Sequence, residues 1–253
     1  LFAMWEDDTD DPRCQRSITN GRTWAASAEL VAGTYSDMAI ATNGSMVIYI
    51  GAGGTASSPD IESVLKNGSC NAGGFVDVGT LTDNWRPDVA YEDVNKRWHV
   101  CAMEQDAFDL YYATSLLRPK SWTQVTLRVG TFDACSIDAD DNGNIFIATD
   151  DTGNSRITVF NSSNQFTKNT TRIAYAKAAN NTHLSILGTT ILITAIDANA
   201  DLRVIWSTND GMTYNNATVV GSFKDAEGCI DSTGKFHIVT SNGGDIDYVR
   251  YAS

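Results

Sequence analysis

The stretch Val204-Ile205-Trp206-Ser207-Thr208-Asn209-Asp210-Gly211-Met212-Thr213-Tyr214 holds an apolar run that stops at a serine and passes through a polar, glycine-containing turn to an aromatic residue. β-Branched and aromatic residues followed by Asn-Asp-Gly read as a strand entering a tight hairpin. The same run recurs along the chain as CQRS at 14–17, SVLK at 63–66, YATS at 112–115, VFNS at 159–162 and RYAS at 250–253. The last residues, 17, 66, 115, 162, 207 and 253, are separated by 49, 49, 47, 45 and 46 residues. A period in the forties made only of strands predicts β-propeller blades of four antiparallel strands, and six runs predict six blades.

The neighbouring runs keep the same phase. Upstream of each turn lies a second apolar run: LFAMW at 1–5, MVIYI at 46–50, RWHVCAM at 97–103, NIFIATD at 144–150, TILITAI at 190–196 and FHIVTS at 236–241. A third, more polar run precedes it from Ser36, Pro87, Phe132, Thr182 and Lys224. The predicted all-β domain covers 1–253, with blades at 1–33, 34–81, 82–130, 131–177, 178–221 and 222–253. Six blades of about 47 residues need about 282, so about 29 residues, one outer and one inner strand, are unaccounted for. The terminal blades 1 and 6 are therefore each expected to lack one strand. Either a segment precedes Leu1 in a longer precursor, or the open edges accept strands from another chain.

The turns resemble the Asp-box, or BNR repeat, of the sialidase-like propeller superfamily, Ser-x-Asp-x-Gly-x-Thr-Trp. Ser17, Gly21, Thr23 and Trp24 match it, as do Ser207, Gly211, Thr213 and Tyr214; Ser115 and Trp122 keep the spacing without the glycine. Thr19 and Asn209 stand where the motif has its aspartate. The resemblance implies a structural hairpin on the outer rim. It also implies, for a catalytic member, three arginines for a substrate carboxylate, a Tyr–Glu pair and an acid/base Asp. The first of those arginines belongs to a Phe/Tyr-Arg-x-Pro motif, and Trp85-Arg86-Pro87 is one residue too short for it. A non-catalytic member is expected.

Asp37, Asp88, Asp133 and Asp225 stand at matching starts of the third runs, with Asn181 at the fifth. Convergence of these starts on one face makes the acids candidates for sugar or cation binding, or for the carboxylate pair of a glycoside hydrolase. The plainer expectation is a repeated fold device in which each Asp accepts backbone N–H bonds. Asp138, Asp140 and Asn142 match the opening of a calcium loop, yet Thr149 occupies the place of the closing glutamate. Calcium is thus a candidate ligand there, against the expectation of a solvated turn and no cofactor. His99 and His237 share one position in blades 3 and 6 and are expected to be structural.

A net charge of −13, from 18 basic and 31 acidic residues, opposes binding to nucleic acid or an anionic membrane surface. The apolar runs are too short for membrane insertion. Sequons at Asn43, Asn67, Asn161, Asn169, Asn180 and Asn216 suit an extracellular or cell-surface glycoprotein. Of five cysteines, Cys101, Cys135 and Cys229 read as buried thiols, while Cys14 and Cys70 lie near turns where a bridge can form. The expected role is glycan binding or surface assembly at a propeller face. The alternatives are a subunit joined by strand addition at blades 1 and 6, and a glycoside hydrolase using the carboxylate face.

Overall fold

The computed structural model describes residues 2–6, 12–19, 22–29, 35–43, 47–55, 58–66, 76–77, 84–104, 108–116, 122–154, 156–162, 170–242 and 244–251. Gly21, Asn67, Cys70 and Asn169 lie outside them, as does the side chain of Asp37. The described chain is all β apart from a three-residue 3-10 turn at Thr152–Asn154. No helix among these residues is long and apolar enough to cross a membrane.

Each sheet comes from one contiguous stretch of chain. The first holds β1 (Phe2–Glu6), β2 (Pro12–Arg16) and β3 (Ala28–Glu29); the second β4 (Tyr35–Thr42), β5 (Val47–Thr55), β6 (Ser58–Lys66) and β7 (Val76–Asp77). The third holds β8 (Asn84–Glu92), β9 (Arg97–Glu104), β10 (Leu110–Leu116) and β11 (Thr123–Arg128). The fourth holds β12 (Phe132–Ala139), β13 (Ile145–Asp151), β14 (Arg156–Ser162) and β15 (Thr170–Tyr175). The fifth holds β16 (Ala179–Leu187), β17 (Thr190–Asp197), β18 (Leu202–Ser207) and β19 (Asn215–Val219); the last β20 (Asp225–Ile230), β21 (Phe236–Ser241) and β22 (Ile246–Tyr251). Strands pair in chain order, as hairpins dictate: β13 with β12 and β14, β17 with β16 and β18. The chain divides into two compact units, one of Leu1–Tyr91, Lys96–Asp106 and Tyr111–Thr126, the other of Glu92–Asn95, Ala107–Leu110 and Leu127–Ser253.

In the first unit Ile48 and Ile50 of β5 meet Val89 of β8 and Trp98, Val100 and Ala102 of β9. In the second, the fourth and fifth sheets stack face to face. Phe146, Ala148, Ile157 and Val159 meet Leu184, Ile191, Ile193 and Ile205 there. Every residue of β13 is buried, as in a strand with both faces removed from water. This is why Ile145-Phe-Ile-Ala148 is a continuous apolar run rather than an alternation. Each such side chain contributes about 1.5–3 kcal/mol of burial.

Among the described residues the last sheet packs on the fifth through one side. Ala226, Phe236 and Ile238 pack with Leu192, Leu202 and Val204 of the fifth sheet. β20 alternates in consequence: Asp225, Glu227 and Cys229 are exposed, whereas Ala226 and Gly228 are buried. The expectation of a buried Cys229 is therefore wrong. The period-2 pleat carries it to the uncovered side, whereas Cys101 and Cys135 are buried thiols as expected. Cys14 is disulfide-bonded.

Side chains of one inner strand bond the next. The Leu184 N–H donates to Ser136 Oγ (3.0 Å), and the Ile186 N–H to Asp138 Oδ2 (2.7 Å). The Gly228 N–H reaches His183 Nδ1 of β16 (3.5 Å), and from the second strand, β17, Thr194 Oγ1 donates to the Ala226 carbonyl (2.9 Å). An innermost strand has one edge without a ladder partner, and these side chains satisfy it.

Candidate functional site

The turn at 207–214 is a closed hydrogen-bond circuit. Ser207 Oγ accepts from the N–H groups of Gly211 (2.9 Å) and Asn209 (3.2 Å), and donates to Asn209 Oδ1 (2.9 Å). Asn209 Oδ1 also accepts from the Thr213 N–H (3.0 Å), while its Nδ2 donates to Thr213 Oγ1 (2.9 Å). Gly211 takes φ +73°, and an added Cβ would sit 2.7 Å from Tyr214 Oη. Tyr214 packs on the core between the fourth and fifth sheets. At the first turn, Thr19 Oγ1 accepts from the Thr23 N–H (2.8 Å) and Ser17 Oγ from the Thr19 N–H (3.3 Å), but Trp24 is 42% exposed. In the third, Ser115 is buried and Trp122 packs on the first unit's core. The Ser17–Thr23 and Ser207–Thr213 side chains thus bond their own turns, whereas Trp122 Nε1 and Tyr214 Oη are buried without a partner among the described residues.

The inner-strand starts behave differently from one another. Asp88 and Asp225 accept the N–H of the following residue, Val89 and Ala226, each at 2.8 Å. Asp37, Asp133 and Asn181 each lie at a register shift, between Ser36 and Met38, Phe132 and Cys135, and Asn180 and His183. Such a bulge re-aims a strand where it begins. Asn181 takes φ +52° and donates through Nδ2 to the Lys224 carbonyl (2.6 Å).

The calcium-like loop is the β12–β13 hairpin. Asp140 Oδ1 accepts from the N–H groups of Asn142 (2.9 Å) and Asn144 (2.7 Å), and Oδ2 from Asn144 Nδ2 (2.7 Å). Asp138 turns away to the Ala139 and Ile186 amides. The sequence does not reveal this, because a carboxylate that caps a turn and one that holds a cation use the same residue types. Among the described residues no group of three or more His, Cys, Asp or Glu is placed to hold a metal ion. Of the sequon asparagines described, Asn180 and Asn216 are exposed, and Asn43 and Asn161 are partly buried.

What the sequence does not anticipate lies on the uncovered side of the last sheet. Register rows place Glu227, Val239 and Tyr248 side by side, with Asp225, Ser241 and Ile246 next to them. Asp225, Glu227, Val239 and Ile246 line a depression of about 160 Å³. Tyr248 is 60% exposed, and its hydroxyl lies 2.5 Å from His237 Nδ1. His237 Nε2 is held at 2.8 Å by Asp231 Oδ2. With Nε2 donating to Asp231, Nδ1 is the acceptor for the phenol, so the ring is fixed rather than swinging free. The His237 bond, followed by those from Thr233 and the Lys235 amide, holds the Asp231 carboxyl far below the usual carboxylate range.

His99 repeats the position but not the setting: it is buried, with Tyr112 Oη at 2.6 Å from Nδ1. Burial, reinforced by the charge of Arg97, pushes it down to about 3. Counted from the paired rows Ala139–Ile145, Ile186–Ile191 and Ile230–Phe236, Glu227 stands where Ser136 and His183 stand in their strands. Those two bond the next inner strand. Glu227 is exposed, with no partner among the described residues.

No known family pattern and no curated protein matches the sequence. Solved structures do match in fold. A Dyadobacter fermentans protein of unknown function superposes with a TM-score of 0.74 at 11% identity, over 97% of this chain and 84% of that one. The Hadza microbial sialidase Hz136 gives 0.68 at 10% identity, over 96% of this chain and 60% of the sialidase. An exo-β-1,3-galactanase from Clostridium thermocellum gives 0.60 at 11% identity, over 98% and 62%. At such identities the likeness is one of fold, a sialidase-like β-propeller.

Proposed function

We propose that this chain is a six-bladed, extracellular, non-catalytic propeller with Asp-box turns that recognises glycans, and that the uncovered side of its last sheet is a recognition surface. One observation carries the reading: Tyr248, an exposed aromatic ring pinned through its hydroxyl, shares a register row with the exposed Glu227, Val239 standing between them, and Asp225 and Ile246 occupy the next row. A sugar ring offers C–H bonds to the negative face of an aromatic ring and hydroxyl donors to carboxylates. A preset ring loses little entropy on binding. Hydrolysis needs a proton-donating carboxylic acid, commonly one raised by an apolar pocket, and Asp225 and Glu227 are both open to water. The oxidised Cys14 supports an extracellular location.

A glycan array followed by calorimetry on its hits tests the reading. Wild type is expected to bind without releasing reducing ends, and Tyr248→Ala and Glu227→Gln to weaken binding at least about tenfold. A blank array, or variants that bind like wild type, would refute it.

Among the described residues the first and last sheets have three strands each, which supports a second reading, self-association by strand addition at the open edges β1 and β22. It predicts oligomers in light scattering that a proline at Tyr248 disperses. A monodisperse monomer at all concentrations tells against it.

A further inference from the structure

A second depression, of about 190 Å³, lies where β12 starts, β13 ends and β14 starts. Arg128, Arg156, Asp151, Thr158, Phe132 and Phe160 contribute to its lining. Asp151 is buried and its acceptors are taken. Oδ1 receives the Asn154 N–H (3.1 Å) and Nδ2 (2.9 Å); Oδ2 receives Asn154 Nδ2 (2.9 Å) and Arg156 Nε (3.1 Å). Arg156 is thus gripped by Nε alone, and both of its terminal nitrogens are without partners among the described residues. Arg128 is exposed and likewise has none.

Among the lining side chains two guanidinium groups stand against one carboxylate, in a chain that carries −13 overall; the neighbouring Asp109 carboxylate is engaged by the Gly130 N–H (3.1 Å). Beside them Thr158, 1% exposed, is among the lining residues, and its buried Oγ1 has no hydrogen-bond partner among the described residues. A buried hydroxyl without a partner is destabilising, and a bound acceptor would remove that cost. Phe132 and Phe160, edge to face at 6.3 Å, supply an apolar wall.

We infer that this depression binds the oxyanion of a small hydroxylated ligand, the carboxylate or sulfate group of an acidic sugar. Arg156 and Arg128 donate to the anion, Asp151 holds Arg156 in place, and Thr158 Oγ1 donates to a ligand oxygen. Two parallel N–H bonds from a guanidinium match the spacing of carboxylate or sulfate oxygens. The sugar half of the inference rests on the glycan reading above; the anion half does not.

The test is titration of the intact chain at low ionic strength with inorganic sulfate, D-glucuronate and D-glucose, followed by amide chemical shifts at Thr158, Gly130 and Asn154. Sulfate and glucuronate are expected to give saturable shifts there, and glucose none. Arg128→Gln and Arg156→Gln are each expected to weaken binding about tenfold. Arg156→Gln also unpairs Asp151, whereas Arg128→Gln removes an exposed, unpartnered side chain and leaves the fold intact. Thr158→Val is expected to weaken glucuronate binding while keeping or raising Tm, because no described residue uses the hydroxyl.

Glucuronate tighter than sulfate identifies an acidic sugar; equal affinity identifies the bare anion, and both outcomes support an oxyanion site. No saturable shift with either anion, or unchanged affinity in Arg128→Gln, overturns it. The two proposals fail separately. If anions do not bind while Tyr248-dependent glycan binding persists, only this inference falls; if anions bind and the array is blank, the glycan reading falls with the sugar half of this inference, and the oxyanion site stands.

Discussion

Ser207 replaces, with one hydroxyl, two backbone bonds that the turn after β18 does not make for itself. Because it is fully buried, Ser207→Ala strands the amides of Gly211 and Asn209. The variant is expected to lose about 2 kcal/mol in urea unfolding, and Gly211→Ala, forced to a positive φ against Tyr214, about as much. Little or no change in either would mean that the turn is not held in this way. His99 makes a pH prediction. Its folded pKa, about 3, lies below the ordinary 6.5, so between these values the unfolded chain binds the extra proton. Stability is therefore full above pH 6.5 and falls as pH drops, with a slope of up to about 1.4 kcal/mol per pH unit from this group. Urea midpoints at pH 7, 6 and 5 are expected to decline in wild type and to flatten in His99→Gln. Cys229 makes a third: it should react with a thiol reagent in the folded state, Cys101 and Cys135 only after unfolding, and Cys229→Ser should abolish the fast phase.

At the scale of elements, the strands and their order within each sheet are legible because apolar runs and Gly/Asn turns recur in phase. That phase marks Ile145-Phe-Ile-Ala148 and Ile191-Leu-Ile-Thr194 as central strands. What stacks on a strand is not written in its own residues, and Cys229 is misread for that reason: β20 resembles β12 in pattern, yet only one of its sides is covered. Asp138 is misread similarly, since its partner, the Ile186 amide, lies 48 residues further on. The stitching of inner strands by side chains is itself testable. Ser136→Ala removes the acceptor of a buried amide, and hydrogen exchange at Leu184 should speed up while amides within β13 keep their protection. Unchanged exchange at Leu184 would show that the Ser136 bond does not hold the two strands together.

For the molecule as a whole, the conspicuous sequence signals have gone into building the fold. The Ser-to-aromatic turns close on themselves, and Asp140 caps a hairpin. The surfaces argued here for function are flagged by no motif. Tyr248, Glu227 and Val239 are brought together by register, and Arg128 at the end of β11 meets Arg156 and Thr158 of β14, so neither set has a spacing that a linear reading can find. A fold shared with a sialidase and a galactanase at about a tenth identity leaves chemistry to be decided by these side chains. The most direct measurement takes a glycan that wild type binds and follows heat of binding and reducing-end release in the same sample, for wild type and Tyr248→Ala. Saturable heat without product, lost in Tyr248→Ala, is the predicted result. Steady release of product, or heat that Tyr248→Ala leaves unchanged, would contradict recognition without catalysis at the last sheet.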